Sequence, residues 1–240
     1  MDLLMMMAAI VAFAPTLALM YIVLRKYTYP AVEQPFFSDP AFFGLFTVGL
    51  IAGTFLFAVY TWIWTSMIYA ILFAAIICLV LVTVLNLKRF HGKSDSVFYG
   101  YGLGLGVGCT MAFGMIFYLG TAITGSDIGN IEITDYIMLF IIGLGNILII
   151  SAVGTIIGEG IARLRPMEFA LQAMMACVLY FVVTTLAYLN SDNSILFYAG
   201  LIIGLVFSAS YFYYVMYIKL SEVIRDVLKM EGNKRKDVPR

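Results

Sequence analysis

The amino-acid sequence predicts an all-α, polytopic membrane protein with seven transmembrane helices. Hydrophobic residues make up 63% of the 240 positions and charged residues only 12%, with a mean hydropathy of +1.00, whereas a soluble domain carries about 25% charged residues. Seven apolar segments are long enough to cross a hydrocarbon core about 30 Å thick. The basic residues lie in clusters between alternate segments. Because the formal net charge is zero, we expect no nucleic-acid partner.

The predicted spans, in chain order, are 3–24, 41–60, 64–87, 97–120, 136–162, 167–189 and 195–218. The first has no basic residue before it and exceeds the apolar core of a signal peptide, so we interpret it as a membrane anchor and not a cleaved leader. After the seventh, an apolar stripe predicts either a helical extension or a helix on the membrane surface. We therefore divide the chain into a bundle, 1–218, and a cytoplasmic amphipathic and basic tail, 219–240.

The second and third spans are separated within an uncharged run from 41 to 87. One helix of that length would extend about 70 Å at 1.5 Å per residue, more than twice the thickness of the hydrocarbon core. The run must therefore turn. Polar residues and tryptophans at 61–66 mark the turn, since tryptophan favours the membrane interface. We predict a tight hairpin there.

The fourth span carries the most distinctive pattern, a run of alternating glycines. Gly100, Gly104 and Gly108 share one helical face as GxxxGxxxG. Small residues allow helix backbones to approach closely in lipid, where packing drives association. This face predicts contact with a helix of the same chain or with a helix of a partner. A third interpretation is a broken helix that lines a cavity, because glycine weakens helices.

The fifth span contains two polar residues that we expect to act as buried anchors. The Asn146 amide lies within hydrocarbon and needs a hydrogen-bond partner, so we expect it to face the bundle interior. Glu159 lies near the end of the span, between two glycines. Its position favours a side chain that either snorkels to the membrane interface or forms an ion pair with Arg163, four residues on.

The positions of the basic residues predict the orientation. All fourteen Lys and Arg residues fall in the first, third and fifth connections and the tail, while the other side carries acidic residues and no basic ones. The positive-inside rule then places the N-terminus outside and the C-terminus in the cytoplasm. We therefore expect a multi-pass integral membrane protein, in the plasma or cell membrane if the source is prokaryotic.

The sequence argues against enzymatic chemistry. No span contains an aspartate, and the only histidine, His91, lies in a charged loop, so aspartyl, serine and metallo-protease constellations are missing from the spans. The three cysteines, Cys78, Cys109 and Cys177, lie in apolar runs without a CxxC motif. We expect no disulfide, no metal, no cofactor and no catalytic residue.

Three features resemble the Aph (anterior-pharynx-defective) subunit of γ-secretase. They are the segment VAFAPTLAL at 11–19 in the first span, the GxxxGxxxG pattern of the fourth, and LAYLN at 186–190 before a seventh span and a basic tail. The resemblance extends over nearly the whole chain in length, helix number and orientation. It implies a scaffold subunit whose partner is a presenilin-like intramembrane aspartyl protease.

The chain also resembles the PrsW and type II CAAX protease superfamily. The segment DSVFYG at 95–100 leads into a glycine-rich helix, as in that family. Where active members carry a Glu-Glu pair, this chain has LFAA at 72–75, and where they carry Glu-Asn it has Met111 and Ala112. Asn146 and Tyr180 stand at the positions of intramembrane histidines. The resemblance implies a bundle without protease chemistry, in which Asn146 and Tyr180 form a hydrogen-bonded pair.

From these observations we expect a monomeric, non-catalytic scaffold in the lipid bilayer that packs against the helices of another integral membrane protein. The Gly100, Gly104 and Gly108 face is the predicted contact, with Asn146, Glu159 and Tyr180 as polar anchors. The alternative is a stand-alone channel or transporter with a cavity beside the glycine-rich fourth helix.

Overall fold

A computed structural model describes residues 2–63, 67–124 and 133–230. Over these residues the protein is helical and has no β-strand. Its elements are α1 (Asp2–Leu24), α2 (Asp39–Ile63), α3 (Met67–Leu85), α4 (Asp95–Thr124), α5 (Ile133–Ala162), α6 (Pro166–Leu189), α7 (Ser194–Tyr213) and α8 (Leu220–Met230), with a 3-10 turn at Lys88–Phe90 and a π-helical segment at Tyr214–Lys219.

Seven of these helices are long and apolar enough to cross a membrane, and they coincide with the seven predicted spans. The uncharged run from 41 to 87 is divided into α2 and α3, as the length argument required. Helix α2 ends at Ile63 and α3 begins at Met67. The middle of the predicted hairpin, 64–66, lies outside the described residues.

Helices α4 and α5 form the centre of the bundle. In their most apolar stretches 72% and 78% of residues are buried, against no more than 39% in the other five spans. Helix α4 packs between α2 and α5, while α6 and α7 pack against α5 from its other side. Glycines on two faces of α4 make this arrangement possible, because a helix with little side-chain bulk can approach two neighbours at once.

The described basic connections meet at one end of the bundle. The first connection reaches the π-helical segment and α8, since the Lys26 ammonium lies 4.4 Å from the Tyr217 ring centroid and the Tyr27 and Ser221 hydroxyls are hydrogen-bonded at 3.0 Å. The third connection joins the end of α5, where the Gly92 N–H donates to the Ile161 carbonyl at 3.3 Å. The charge asymmetry of the sequence is therefore an asymmetry between the two ends of the bundle.

The tail continues α7 without a break, through the π-helical segment into α8. Of the two interpretations of its apolar stripe, the structure shows the helical extension. Val223, Ile224, Val227 and Leu228 are at most 4% exposed, so protein covers this stripe and no membrane surface is needed. Residues 231–240 of the predicted tail lie outside the described residues.

Candidate functional site

The Gly100, Gly104 and Gly108 face of α4 packs against α5 of the same chain. A Cβ built on Gly104 would lie 2.6 Å from the Ile150 carbonyl oxygen, and one built on Gly108 would lie 3.0 Å from the Ile147 Cα. At Gly100 the added atom would collide with the Gly154 carbonyl oxygen. Backbone of the same chain therefore occupies this face, and in this structure a partner's helix has no access to it.

A second glycine seam, which the sequence argument did not single out, joins α4 to α2. A Cβ on Gly106 would lie 2.9 Å from the Gly49 Cα, and one on Gly53 would lie 2.6 Å from the Val107 carbonyl oxygen. The spacing of Gly49 and Gly53 was the available signal, because it repeats the small-xxx-small pattern. The alternating glycines of α4 thus allow close packing against two neighbouring helices, α2 and α5.

Asn146 faces the interior, as expected for an amide at membrane depth. Its Nδ2 donates to the Ile142 carbonyl and to the Met115 sulfur, both at 3.0 Å, whereas its Oδ1 is buried and accepts no hydrogen bond from the described residues. The expected pair with Tyr180 is not formed. The Tyr180 hydroxyl lies against Gly145, and adjacent residues on a helix point about 100° apart, so Asn146 turns towards α4.

Glu159 joins α5 to the extended last helix through a charged cluster. Its Oε1 accepts from the Arg163 Nε at 2.9 Å, the predicted partner, and its Oε2 lies 2.8 Å from the Lys219 Nζ. Arg163 also contacts Asp226 at 3.3 Å. The Glu159 side chain is 4% exposed, so both oxygens depend on these cations. Helical spacing could signal Arg163 but not Lys219 or Asp226, which are distant in sequence.

The exposed face of α2 carries, beside larger apolar side chains such as Phe43 and Val48, a row of mostly small residues. Gly44, Thr47, Ile51, Thr54 and Ala58, which we call the α2 outer seam, recur at the a and d spacing of a left-handed helix pair, and all are exposed. No atom lies within 4 Å of a Cβ built on Gly44. The two threonine hydroxyls donate to carbonyls of their own helix at 2.9 Å. Their O–H groups are therefore already hydrogen-bonded where they face lipid.

The positions at which the protease resemblance would place the Glu-Glu and Glu-Asn pairs are apolar. Of LFAA at 72–75, Phe73 and Ala74 lie in the hydrophobic core and are at most 2% exposed, whereas Leu72 is 50% exposed. Met111 and Ala112 are fully buried in the core. Within 2–63, 67–124 and 133–230, no three His, Cys, Asp or Glu side chains cluster as metal ligands. These positions can fill space but cannot transfer a proton or hold a nucleophile.

Together, the seven long apolar helices and their glycine-lined centre define a multi-pass α-helical membrane protein. No protein-family model, curated protein or solved structure matches this chain.

Proposed function

We propose that this protein is a non-catalytic scaffold subunit that packs against transmembrane helices of another integral membrane protein. The observation that carries this proposal is the α2 outer seam. In lipid, helices associate through close packing and not through hydrophobicity, and their interfaces are enriched in Gly, Ala, Ser and Thr. The α2 outer seam presents such residues at a spacing that fits a second helix.

The inner face of α2 supports this assignment. Gly49 and Gly53 hold α2 against α4 through backbone contacts, so the outer face is presented by a firmly packed helix. Phe55 projects beside the seam and is 70% exposed, which suits an aromatic anchor at an interface. The lipid-facing surface of α3 differs, since it presents large aliphatic side chains such as Ile68 and Leu72, which are 69% and 50% exposed.

The nature of the partner follows from the sequence resemblance. An Aph-like subunit implies a presenilin-like intramembrane aspartyl protease, in the plasma or cell membrane if the source is prokaryotic, with the basic end of the bundle in the cytoplasm. The α2 outer seam replaces the Gly100, Gly104 and Gly108 face as the proposed contact, because α5 already covers that face.

Affinity purification from native membranes in mild detergent, with intact-mass identification, tests the proposal. The wild-type chain should recover one integral membrane partner in stoichiometric amount. Thr47→Leu with Thr54→Leu should abolish recovery, because the larger side chains fill the α2 outer seam. Ile68→Phe with Leu72→Phe, which enlarges the lipid-facing surface of α3, is the matched control and should retain the partner.

Two outcomes would overturn the scaffold proposal. One is recovery of the wild-type chain alone from native membranes. The other is equal recovery of the partner by the seam and control variants. If the purified chain instead carries solute flux in proteoliposomes, the protein is a channel or transporter.

A further inference from the structure

A groove on the lipid-facing surface lies between α3 and α6. It has a volume of about 270 Å³, and the described residues that line it are all apolar. Ala75 lines it from α3 and Ala170 from α6, and their small side chains leave space between the two helices. Leu79 and Leu171 also line it and are 68% and 59% exposed. A narrow apolar cleft of this kind fits a flexible hydrocarbon chain.

The two ends of this groove differ. Towards one end, α3 and α6 are in contact through Phe73 and Phe181, whose ring centroids lie 5.3 Å apart. Towards the other end the groove is lined by Val82, near the end of α3, and by Met167, at the start of α6. Helix α3 leads into the third connection and α6 follows the fifth. This second end of the groove therefore lies at the basic end of the bundle.

Exposed cations from both connections lie at this end of the groove. Lys88 begins the 3-10 turn that follows α3, and Arg165 directly precedes α6. Both residues are exposed. The two connections are in contact, because the Gly92 N–H, in the third, donates to the Ile161 carbonyl, in the last turn of α5, at 3.3 Å. An anion at the mouth of the groove would therefore meet positive charge from α3 and from α6.

The existing ion pairs leave this charge available to an anion. Lys88 forms no ion pair with a described residue. Arg165 pairs with Glu168 at 3.6 Å, but the two side chains are 71% and 65% exposed, and an exposed pair contributes little stability. A phosphate can replace this carboxylate, since it accepts two parallel hydrogen bonds from a guanidinium group.

We propose that the groove between α3 and α6 binds one anionic phospholipid, with an acyl chain between the helices and the phosphate at Lys88 and Arg165. Basic pockets between transmembrane helices bind anionic lipid headgroups. Lipid tails are as apolar as the residues that line the groove, so the chain contributes close packing and the headgroup determines which lipid is selected. The two cations favour a headgroup with net negative charge over a zwitterionic one.

Titration of the purified full-length protein with phospholipids in detergent, followed by native mass spectrometry, tests this site. The probes are phosphatidylglycerol and phosphatidylcholine with identical acyl chains. We expect one phosphatidylglycerol per chain and weaker binding of phosphatidylcholine. Lys88→Gln with Arg165→Gln should lower the affinity for phosphatidylglycerol by about 10- to 30-fold, the combined effect of two cations near a membrane surface. The double variant should then bind the two lipids equally.

A second variant tests the apolar part of the site. Ala170→Phe places a large side chain in the groove, so it should weaken binding of both lipids while the preference for phosphatidylglycerol remains. Thermal unfolding of each lipid-free variant checks the fold, and Ala75→Phe replaces Ala170→Phe if that variant unfolds.

Arg25→Gln and Ala18→Phe are the matched controls for charge and for size. Both residues are exposed and belong to α1 and the connection after it, and α1 packs against α4 and α5. Both variants should bind phosphatidylglycerol as the wild type does.

Three results would overturn the lipid site. The first is equal affinity of the wild type for the two phospholipids, or an equal loss of affinity in the control variants. The second is full competition by glycerol phosphate, which carries the charge without a chain. The third is a dimer mass that Ala170→Phe converts to the monomer mass, because a second copy of the chain would then occupy the groove.

Discussion

Glu159 shows how one buried charge organises its surroundings. A carboxylate that is 4% exposed is unfavourable unless both oxygens are paired, and here Arg163 and Lys219 pair them at 2.9 and 2.8 Å. Ion pairs of this kind contribute little net stability compared with an apolar replacement, but breaking one is costly because a charge is left unpaired. The cluster therefore specifies how the last helix sits against α5.

We expect Glu159→Gln to destabilise the bundle by about 2 kcal/mol. This is below the roughly 3–5 kcal/mol for breaking a fully buried pair, because the Lys219 and Arg163 side chains retain 17% and 26% exposure. Reversible unfolding in detergent micelles measures the change. Adding Lys219→Met should restore part of the loss by removing the unpaired ammonium.

Glu168→Gln is the matched control for this prediction. Glu168 pairs with Arg165 at 3.6 Å, but both side chains are well exposed, at 65% and 71%. Exposed pairs contribute about 0–1 kcal/mol, so this variant should unfold almost as the wild type does. Equal destabilisation by Glu159→Gln and Glu168→Gln would show that burial of the charge is not the deciding factor.

Among the helices, α4 has the most demanding role, because it contacts α2 and α5 through backbone. Gly102 and Gly106 face α2 while Gly100 and Gly104 face α5. Glycine at alternate positions weakens an isolated helix. In the bundle this cost is offset by van der Waals contact between backbones, which only residues without a side chain permit.

We expect Gly104→Ala to destabilise the bundle by about 1–3 kcal/mol, the range for overpacking a closed contact. The added methyl would lie 2.6 Å from the Ile150 carbonyl oxygen and 2.9 Å from the Ser151 Cα, and neither backbone atom can rotate away. Thermal unfolding in micelles measures the effect. Gly44→Ala is the control, since its Cβ meets no atom within 4 Å. A fully stable Gly104→Ala protein would contradict backbone contact at this seam.

The molecule as a whole is polarised along the bundle axis. Contacts among the first, third and fifth connections and α8 bring the described basic residues to one end. The positive-inside rule predicts that this end is cytoplasmic. If so, Lys93 and Ser191, in the third and sixth connections, lie on opposite sides of the membrane.

Single-cysteine labelling tests this orientation. An impermeant maleimide should label Ser191→Cys in intact cells, and should label Lys93→Cys only after permeabilisation. The three native cysteines are buried and provide a silent background. Labelling of Lys93→Cys but not Ser191→Cys in intact cells would reverse the orientation.

Hydropathy alone was enough to predict seven helices, because each must satisfy its own backbone hydrogen bonds in lipid and therefore needs a long apolar run. Local spacing likewise predicted the Glu159–Arg163 pair and the close packing of the Gly100, Gly104 and Gly108 face. It left open whether that face meets this chain or another. The family resemblance placed Asn146 with Tyr180, and this pair is not formed because neighbouring residues on α5 point to different helices.

Patterns within one helix thus specify which segments cross the bilayer and which of their faces carry small residues, since length and side-chain volume are local properties. Which faces meet is set by how the helices pack. The pairing of Glu159 with Lys219 joins residues far apart in sequence, so no local pattern contains it. For the same reason the α2 outer seam could be recognised as exposed only from the tertiary structure, which shows which other helix faces are covered.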